Sequence, residues 1–320
     1  MKLKKIPGTE DIEFKPKFIE RYSKLTDWEE FKKYSLCFLR KSIRVNTLKK
    51  SVAEVKKRLS SNWEIEEIPW CKEGLFVEHK EGRLDVGNTV EHALGYYYVQ
   101  EAASMIPPVV LDPKPGEIVL DVCAAPGSKS SQMAQYMQNK GILIANDVVG
   151  QRLAALGINL QRCGVSNTVV TQMKGERIKG YSFDKVLLDA PCSGTGTIRK
   201  SIKTIKWWNP KTVVSIAGMQ KKLILNSFDL LKKGGVMVYS TCSLEPEENE
   251  GVVDYLLRNR EDAELMDIKL DIKRGTPVLG FEKAKYDPSI KKCLRLWPQD
   301  NDTEGFFVAK IKKLYNRNAK

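Results

Sequence analysis

The stretch Ile118-Val119-Leu120-Asp121-Val122-Cys123-Ala124-Ala125-Pro126-Gly127-Ser128-Lys129 decides how this chain is read. A short apolar run rich in β-formers breaks into a turn of small residues and then into an amphipathic segment near 128–138. That is the sequence appearance of the first strand, turn and helix of an open α/β sheet. The same texture continues downstream, with strands expected at Gly141 to Asp147, Thr168 to Gln172, Phe183 to Asp189, Gly235 to Thr241 and Gly305 to Lys312. Helices are expected near 150–163, 211–232 and 247–260, and Gly164 and Gly234-Gly235 stand where a left-handed cap ends a helix cheaply. The part from 96 to 320 therefore reads as a doubly wound, mostly parallel α/β sheet.

Residues 1–95 read differently, as a smaller α+β module with basic helical patterns at Pro16 to Lys33 and Val52 to Ser60 and strand-like stretches at Ser42 to Thr47 and Gly74 to Glu78. The chain of 320 residues has 53 Lys and Arg against 40 Asp and Glu, a net charge of +13. Residues 1–60 alone hold 17 basic and 8 acidic side chains. A surplus concentrated in this way points to a polyanionic partner. No apolar run approaches the roughly 18 residues of a membrane span, and the start, Met1-Lys2-Leu3-Lys4-Lys5, has no secretory character, so a cytoplasmic protein is expected.

Seven cysteines without a C-x-x-C pair describe neither a disulfide framework nor a zinc cage, and no metal is expected. With only two histidines, His79 and His92, Ser-His-Asp hydrolysis has little material. Thiol and carboxylate chemistry remain.

In open α/β sheets ligands lie beyond the carboxyl ends of the strands. Here those ends run into Cys123 to Lys129, Asn146-Asp147, Asp189-Ala190-Pro191-Cys192-Ser193-Gly194 and Ser240-Thr241-Cys242-Ser243. Asp147 occupies the place where an acid clamps a ribose. The first turn is not G-x-G-x-x-G, so an adenosine without a pyrophosphate, S-adenosylmethionine, suits it better than a dinucleotide. Two cysteines after adjacent strands fit methylation of carbon 5 of cytosine, because a thiolate adding to carbon 6 turns the ring into a nucleophile. Asp189 is placed to stabilise the adduct, nearby positive charge such as Lys129 is expected to lower the thiol pKa, and a second thiol or a base serves the release step. Cys37, Cys71, Cys163 and Cys293 read as structural.

The motifs QEAASM at 100–105, DVCAAPGSKS at 121–130, ND at 146–147 with Arg152, DAPCSGTGTIRK at 189–200 and STCSLEPEENE at 240–250 together resemble the Sun/nucleolar-protein family of RNA (cytosine-5) methyltransferases. The resemblance covers roughly residues 90–313 and, more loosely, Ser42 to Leu48. In length the chain is most similar to the compact archaeal members that modify tRNA. The resemblance implies a Rossmann-like, adenosylmethionine-dependent methyltransferase domain in which Cys242 attacks carbon 6, Cys192 assists release of the product, Asp189 holds the cytosine, and Lys129 lies near cofactor and base. It also implies that Cys123, Ala124, Ala125, Pro126, Gly127, Ser128, Lys129, Asp147, Arg152 and Asp189 surround the cofactor. The acid that many members carry after the third strand is absent from Thr171-Gln172-Met173-Lys174-Gly175.

These readings predict a monomeric enzyme acting on RNA, tRNA first and rRNA second. Two other classes stay open at this point: a DNA cytosine methyltransferase using Cys192, and a non-catalytic RNA-binding assembly protein. Two segments are left with paired readings. Glu245 to Glu250 is a helix start with carboxylates opposing the dipole, mainly structural. Arg199, Lys200, Lys203 and Lys206 before Trp207-Trp208 either grip phosphate and stack a base or form a solvated loop over core tryptophans.

Overall fold

The computed structural model describes residues 3–9, 11–82 and 85–315, so Met1 and Lys2 of the amino-terminal reading lie outside the described residues. Helices α1 (Pro16–Ser23) and α2 (Trp28–Ser35) lead into a first unit built of β1 (Ser42–Val45), α3 (Val52–Leu59), β2 (Trp63–Glu67), β3 (Gly74–His79), α4 (Val90–Ala93) and β4 (Tyr97–Val99). Its strands form an antiparallel sheet in the order β2-β3-β1-β4. The continuous helical pattern expected over Pro16 to Lys33 is instead two helices. Asp27 ends the run, because its carboxylate accepts the Glu30 amide at 3.1 Å and caps a new helix.

The second unit follows as α5 (Ile106–Leu111), β5 (Ile118–Asp121), α6 (Ser128–Tyr136), β6 (Ile142–Asn146), α7 (Gly150–Cys163), β7 (Thr168–Thr171), β8 (Phe183–Asp189), α8 (Lys203–Trp207), α9 (Pro210–Asp229), β9 (Leu231–Thr241), α10 (Glu250–Asn259) and β10 (Ala263–Met266). A small hairpin, β11 (Gly280–Phe281) and β12 (Ala284–Lys285), precedes β13 (Leu294–Leu296), α11 (Pro298–Asn301) and β14 (Phe306–Lys313). The sheet order is β10-β14-β9-β8-β5-β6-β7, with β5 to β9 parallel, β14 antiparallel to β9, and β13 on β14. Chain order reverses between β5 and β8, and that crevice is where such a sheet binds ligands.

The expected doubly wound architecture is present. Two boundaries differ for local reasons. β9 begins at Leu231, where it pairs with Phe183, and not at Gly235. The helix expected from 247 begins at Glu250, so Glu245, Glu247 and Glu248 lie in the turn before it and do not oppose its dipole. α5 is helical although Pro107 and Pro108 interrupt the sequence pattern, since both prolines occupy the first turn, where an amide needs no intrahelical partner.

The two units share side chains. Ile68, Trp70 and Phe76 of the first pack with Met105, Met133 and Met137 of the second in one apolar cluster. Arg44 of β1, fully buried, donates to Gln100 at 2.8 Å and to Ser131 at 2.8 Å on α6, the helix that carries Lys129. α1 and α2 pack on the second unit: Phe18, Tyr22 and Phe31 form a cluster with Trp208, Leu244 and Trp297. Among the described residues no helix is long and apolar enough to cross a membrane.

Candidate active site

β8 and β9 run side by side, with Asp189 opposite Ser240, so the loops that leave them start as neighbours. The consequence is direct: Cys192 Sγ lies 3.1 Å from Cys242 Sγ, and Ser193 Oγ lies 3.1 Å from Ser243 Oγ. Both cysteines are half-buried and free, whereas Cys37, Cys71, Cys163 and Cys293 are buried elsewhere.

Two features hold the loops in register. Glu248 accepts the Ser193 amide at 2.9 Å with one oxygen and the Ser243 hydroxyl at 3.0 Å with the other, while Gln220 donates to it at 3.1 Å. Burial raises the Glu248 pKa, an effect its hydrogen bonds partly offset. Gly196 lies between backbones: its amide donates to the Cys242 carbonyl at 2.9 Å and its carbonyl accepts the Gly305 amide at 2.9 Å. A Cβ at 196 would stand 2.2 Å from the Gly305 oxygen and 2.7 Å from the Cys242 oxygen. Only glycine permits that approach.

At the end of β8, Asp189 accepts from Lys129 at 2.8 Å and from Ser240 at 2.8 Å, and Lys129 also donates to Ser104 at 3.0 Å. Burial works against the Lys129 ammonium, but Asp189 outweighs it and raises the lysine pKa, with a smaller contribution from Cys242. Cys192, the partner of the candidate nucleophile, has a raised pKa. Hydrogen bonding to Cys242 and burial push that thiol well up, and Lys129 spends its charge on Asp189.

The cofactor positions assemble around β5 and β6. Asp147, buried, accepts the Ala125 amide at 3.1 Å and the Val149 amide at 3.0 Å. Arg152 donates to the Ala125 carbonyl and stands 3.4 Å from Asp147. Gly127 takes φ 103° just before Ser128, a left-handed geometry that a side chain would strain, and the same glycine brings the turn against Leu156. Asp121 accepts Ser130 Oγ at 2.7 Å with Oδ2, but its buried Oδ1 has no partner. Burial pushes this carboxyl up to about 7, with Asp189 adding to the rise. Asp121 beside the turn and Asp147 after β6 make this end of the sheet acidic, which suits a ligand rich in hydroxyl and ammonium donors. That set fits S-adenosylmethionine and offers a pyrophosphate little.

Cys123 to Lys129, Asp147, Arg152, Asp189, Cys192 and Cys242 therefore gather along one edge of the sheet. Sequence reasoning passed over Asp121, Ser104, Ser240, Gly196 and Glu248. All five lie inside the motifs, but nothing in their spacing showed their partners. The segment after β7 is organised by Asn146, which donates to the Val122 and Met173 carbonyls at 3.0 Å each and accepts the Met173 amide at 2.9 Å. Met173 and Val148 are exposed beside Asp147. The paired reading of the 199–208 stretch resolves residue by residue. Arg199 is buried against Asp302 at 2.6 Å and Trp208 is buried in the aromatic cluster, so neither grips RNA, while Trp207 is open to solvent.

Comparison with known proteins shows the family. Residues 108–312 match the family model described as 16S rRNA methyltransferase RsmB/F, and residues 14–102 match the N-terminal domain of 16S rRNA methyltransferase RsmF. The tRNA (cytosine(49)-C(5))-methyltransferase of Pyrococcus abyssi is 50% identical over 300 residues, 93% of this chain and 96% of the relative. The ribosomal RNA small subunit methyltransferase F of Aliivibrio salmonicida is 44% identical over 86% of this chain, which spans only 58% of that relative's length. Among solved structures, a methyltransferase homolog protein from Pyrococcus horikoshii is 40% identical and superposes with a TM-score of 0.83, covering 94% of this chain and 96% of its own. NSun6 from the same organism, solved with SFG, is 25% identical with a TM-score of 0.82, covering 95% of this chain and 99% of its own.

Proposed function

Because the chain belongs to the RsmB/F methyltransferase family, we propose that it methylates carbon 5 of cytosine in RNA through a covalent bond between Cys242 and carbon 6. The observation that carries the reading is the 3.1 Å approach of Cys192 and Cys242 beside the Asp189–Lys129 pair. One structural thiol needs no second, and two sulfurs from separate loops at an open sheet edge match a reaction with an addition and an elimination.

In this reading the target base leaves its stack and enters between the loops. Cys242 adds to carbon 6 and draws electron density onto carbon 5. Asp189 accepts from the exocyclic amine, and Lys129 balances the carboxylate. Bound S-adenosylmethionine supplies the methyl group from its positively charged sulfonium, held by residues 123–129, Asp147, Arg152 and Asp189. Cys192, whose pKa is raised, gives its proton to the Cys242 sulfur as the bond to carbon 6 breaks, and the Cys192 thiolate so formed takes up the proton that leaves carbon 5. SFG, an adenosylmethionine analogue, accompanies a structural relative and supports the cofactor.

The name of the Pyrococcus abyssi relative supports tRNA, with cytosine 49 the first position to test. The bacterial relatives named for small-subunit rRNA favour rRNA as the second substrate, and both sets of names place RNA ahead of DNA. Incubating the protein with adenosylmethionine and unmodified tRNA or rRNA, then measuring 5-methylcytosine by nucleoside mass spectrometry, tests the reading. Methylation of tRNA is expected. Methylation of DNA alone, or no methylation with RNA, refutes it.

A further inference from the structure

The polypeptide between the Cys192 loop and α9 carries two adjacent tryptophans, and the fold sends them in opposite directions. Trp208 is buried and donates its indole N–H to Glu245 at 2.8 Å, in the turn that follows Cys242. Trp207 is 73% exposed. Lys203 lies four residues before it, which places the two side chains on one face of α8, and Lys206 adjoins them. Lys200, Lys203 and Lys206 are all exposed, and among the described residues none has a side-chain hydrogen bond or ion pair.

The support beneath this face is fixed. Ile205 is buried, Lys15 donates to the Lys206 and Trp208 carbonyls at 2.8 Å each, and Asn209 caps α9. A large flat ring is thus held out to solvent among free ammonium groups, on a segment tied to the turn behind the candidate nucleophile. Apolar burial alone would draw Trp207 inward, as it does Trp208. A second copy of this chain, at +13, would bring like charge to the same face. A polyanion with exposed π-faces answers both features.

We propose that the exposed face of α8 binds an unpaired nucleotide of the RNA substrate, with its base stacked on Trp207 and its phosphates held by Lys203 and Lys206. The proposal rests on the RNA reading above and adds a specificity: RNA whose target cytosine is flanked by an unstacked base is preferred over continuous duplex. Base–aromatic stacking amounts to about 5- to 150-fold in affinity per base. Each lysine contact removes about 0.7 from the log–log salt slope on a single strand.

The test uses the full chain and a single-stranded RNA oligonucleotide with 2-aminopurine beside a cytosine. Stacking on Trp207 quenches the probe in the wild type. Trp207→Ala is expected to lose the quenching and weaken binding about 5- to 150-fold, with recovery in Trp207→Phe. The double variant Lys203→Gln, Lys206→Gln is expected to lower the salt slope while keeping the quenching. In methyl transfer, KM for RNA rises in Trp207→Ala while kcat at saturating RNA holds. Wild-type affinity and quenching in Trp207→Ala overturn the proposal. So does a change of oligomeric state on size-exclusion chromatography with RNA affinity unaltered. If the wild-type protein transfers no methyl group to any RNA, the functional reading fails, and the binding comparison still decides whether Trp207 contacts RNA.

Discussion

Cys192 Sγ and Cys242 Sγ lie 3.1 Å apart, carried by loops from adjacent parallel strands and aligned by one buried carboxylate, Glu248. Hydrogen bonding to Cys242 and burial raise the Cys192 pKa. In the mechanism proposed above, this sulfur carries protons in the release step and leaves the attack on carbon 6 to Cys242.

Cys192→Ala is accordingly expected to form the covalent RNA complex with ordinary cytosine and to fail in resolving it. A denaturing gel after incubation with substrate RNA and adenosylmethionine should show a retarded protein–RNA band that the wild type lacks. Release of free RNA at the wild-type rate would remove Cys192 from the mechanism.

Glu248→Gln tests alignment. Glutamine keeps the shape, but with its oxygen on the Ser193 amide its NH2 meets Ser243 Oγ, which already accepts the Glu245 amide, so the Ser243 hydroxyl proton loses its carboxylate acceptor. Leaving a buried donor unpaired costs about 1–3 kcal/mol. Thermal denaturation should show that loss, and kcat should fall by more than KM rises. Unchanged kcat would mean the two loops find their register without the staple.

Gly196→Ala places a methyl group 2.2 Å from the Gly305 carbonyl oxygen. Overpacking of this kind costs about 1–3 kcal/mol, and relief requires moving the Cys242 or the Gly305 backbone. The expected outcome is a folded protein, by circular dichroism, that forms the adduct slowly. Wild-type adduct rates would show that the close approach has no bearing on the nucleophile.

Asp121 connects pH to stability. Burial holds its folded pKa at about 7, against an ordinary carboxyl value near 4 in the unfolded chain. A raised pKa stabilises the fold fully below the unfolded value, and that contribution is lost as pH rises through the folded one. Urea titrations should show the wild type losing about 4 kcal/mol relative to Asp121→Asn between pH 4 and 7, and no more above that. Parallel curves for the two proteins would contradict the assignment.

The strands and polar loops of the second unit were legible because apolar runs ending in Asp189, Asp147 and Thr241-Cys242 state both the element and its edge. Through-space partnerships were not. Glu248 reads as part of an acidic helix start, yet the turn at 246–249 faces it inward onto serines from two loops. Arg21 and Tyr22 read as a basic amphipathic helix, but both donate to Glu245 more than 220 positions away, Arg21 at 2.7 Å and Tyr22 at 2.9 Å. Trp207 and Trp208 are indistinguishable in sequence. Their difference comes from the neighbours that α8 meets when it packs.

The account stands on the bond between Cys242 and carbon 6, and trapping that bond tests it most directly. With RNA containing 5-fluorocytosine and adenosylmethionine, elimination is blocked, and peptide mass spectrometry of the digested complex should locate the nucleotide on Cys242. The adduct should vanish in Cys242→Ala and persist in Cys192→Ala. A nucleotide found on Cys192, or an adduct that survives in Cys242→Ala, would contradict the central claim.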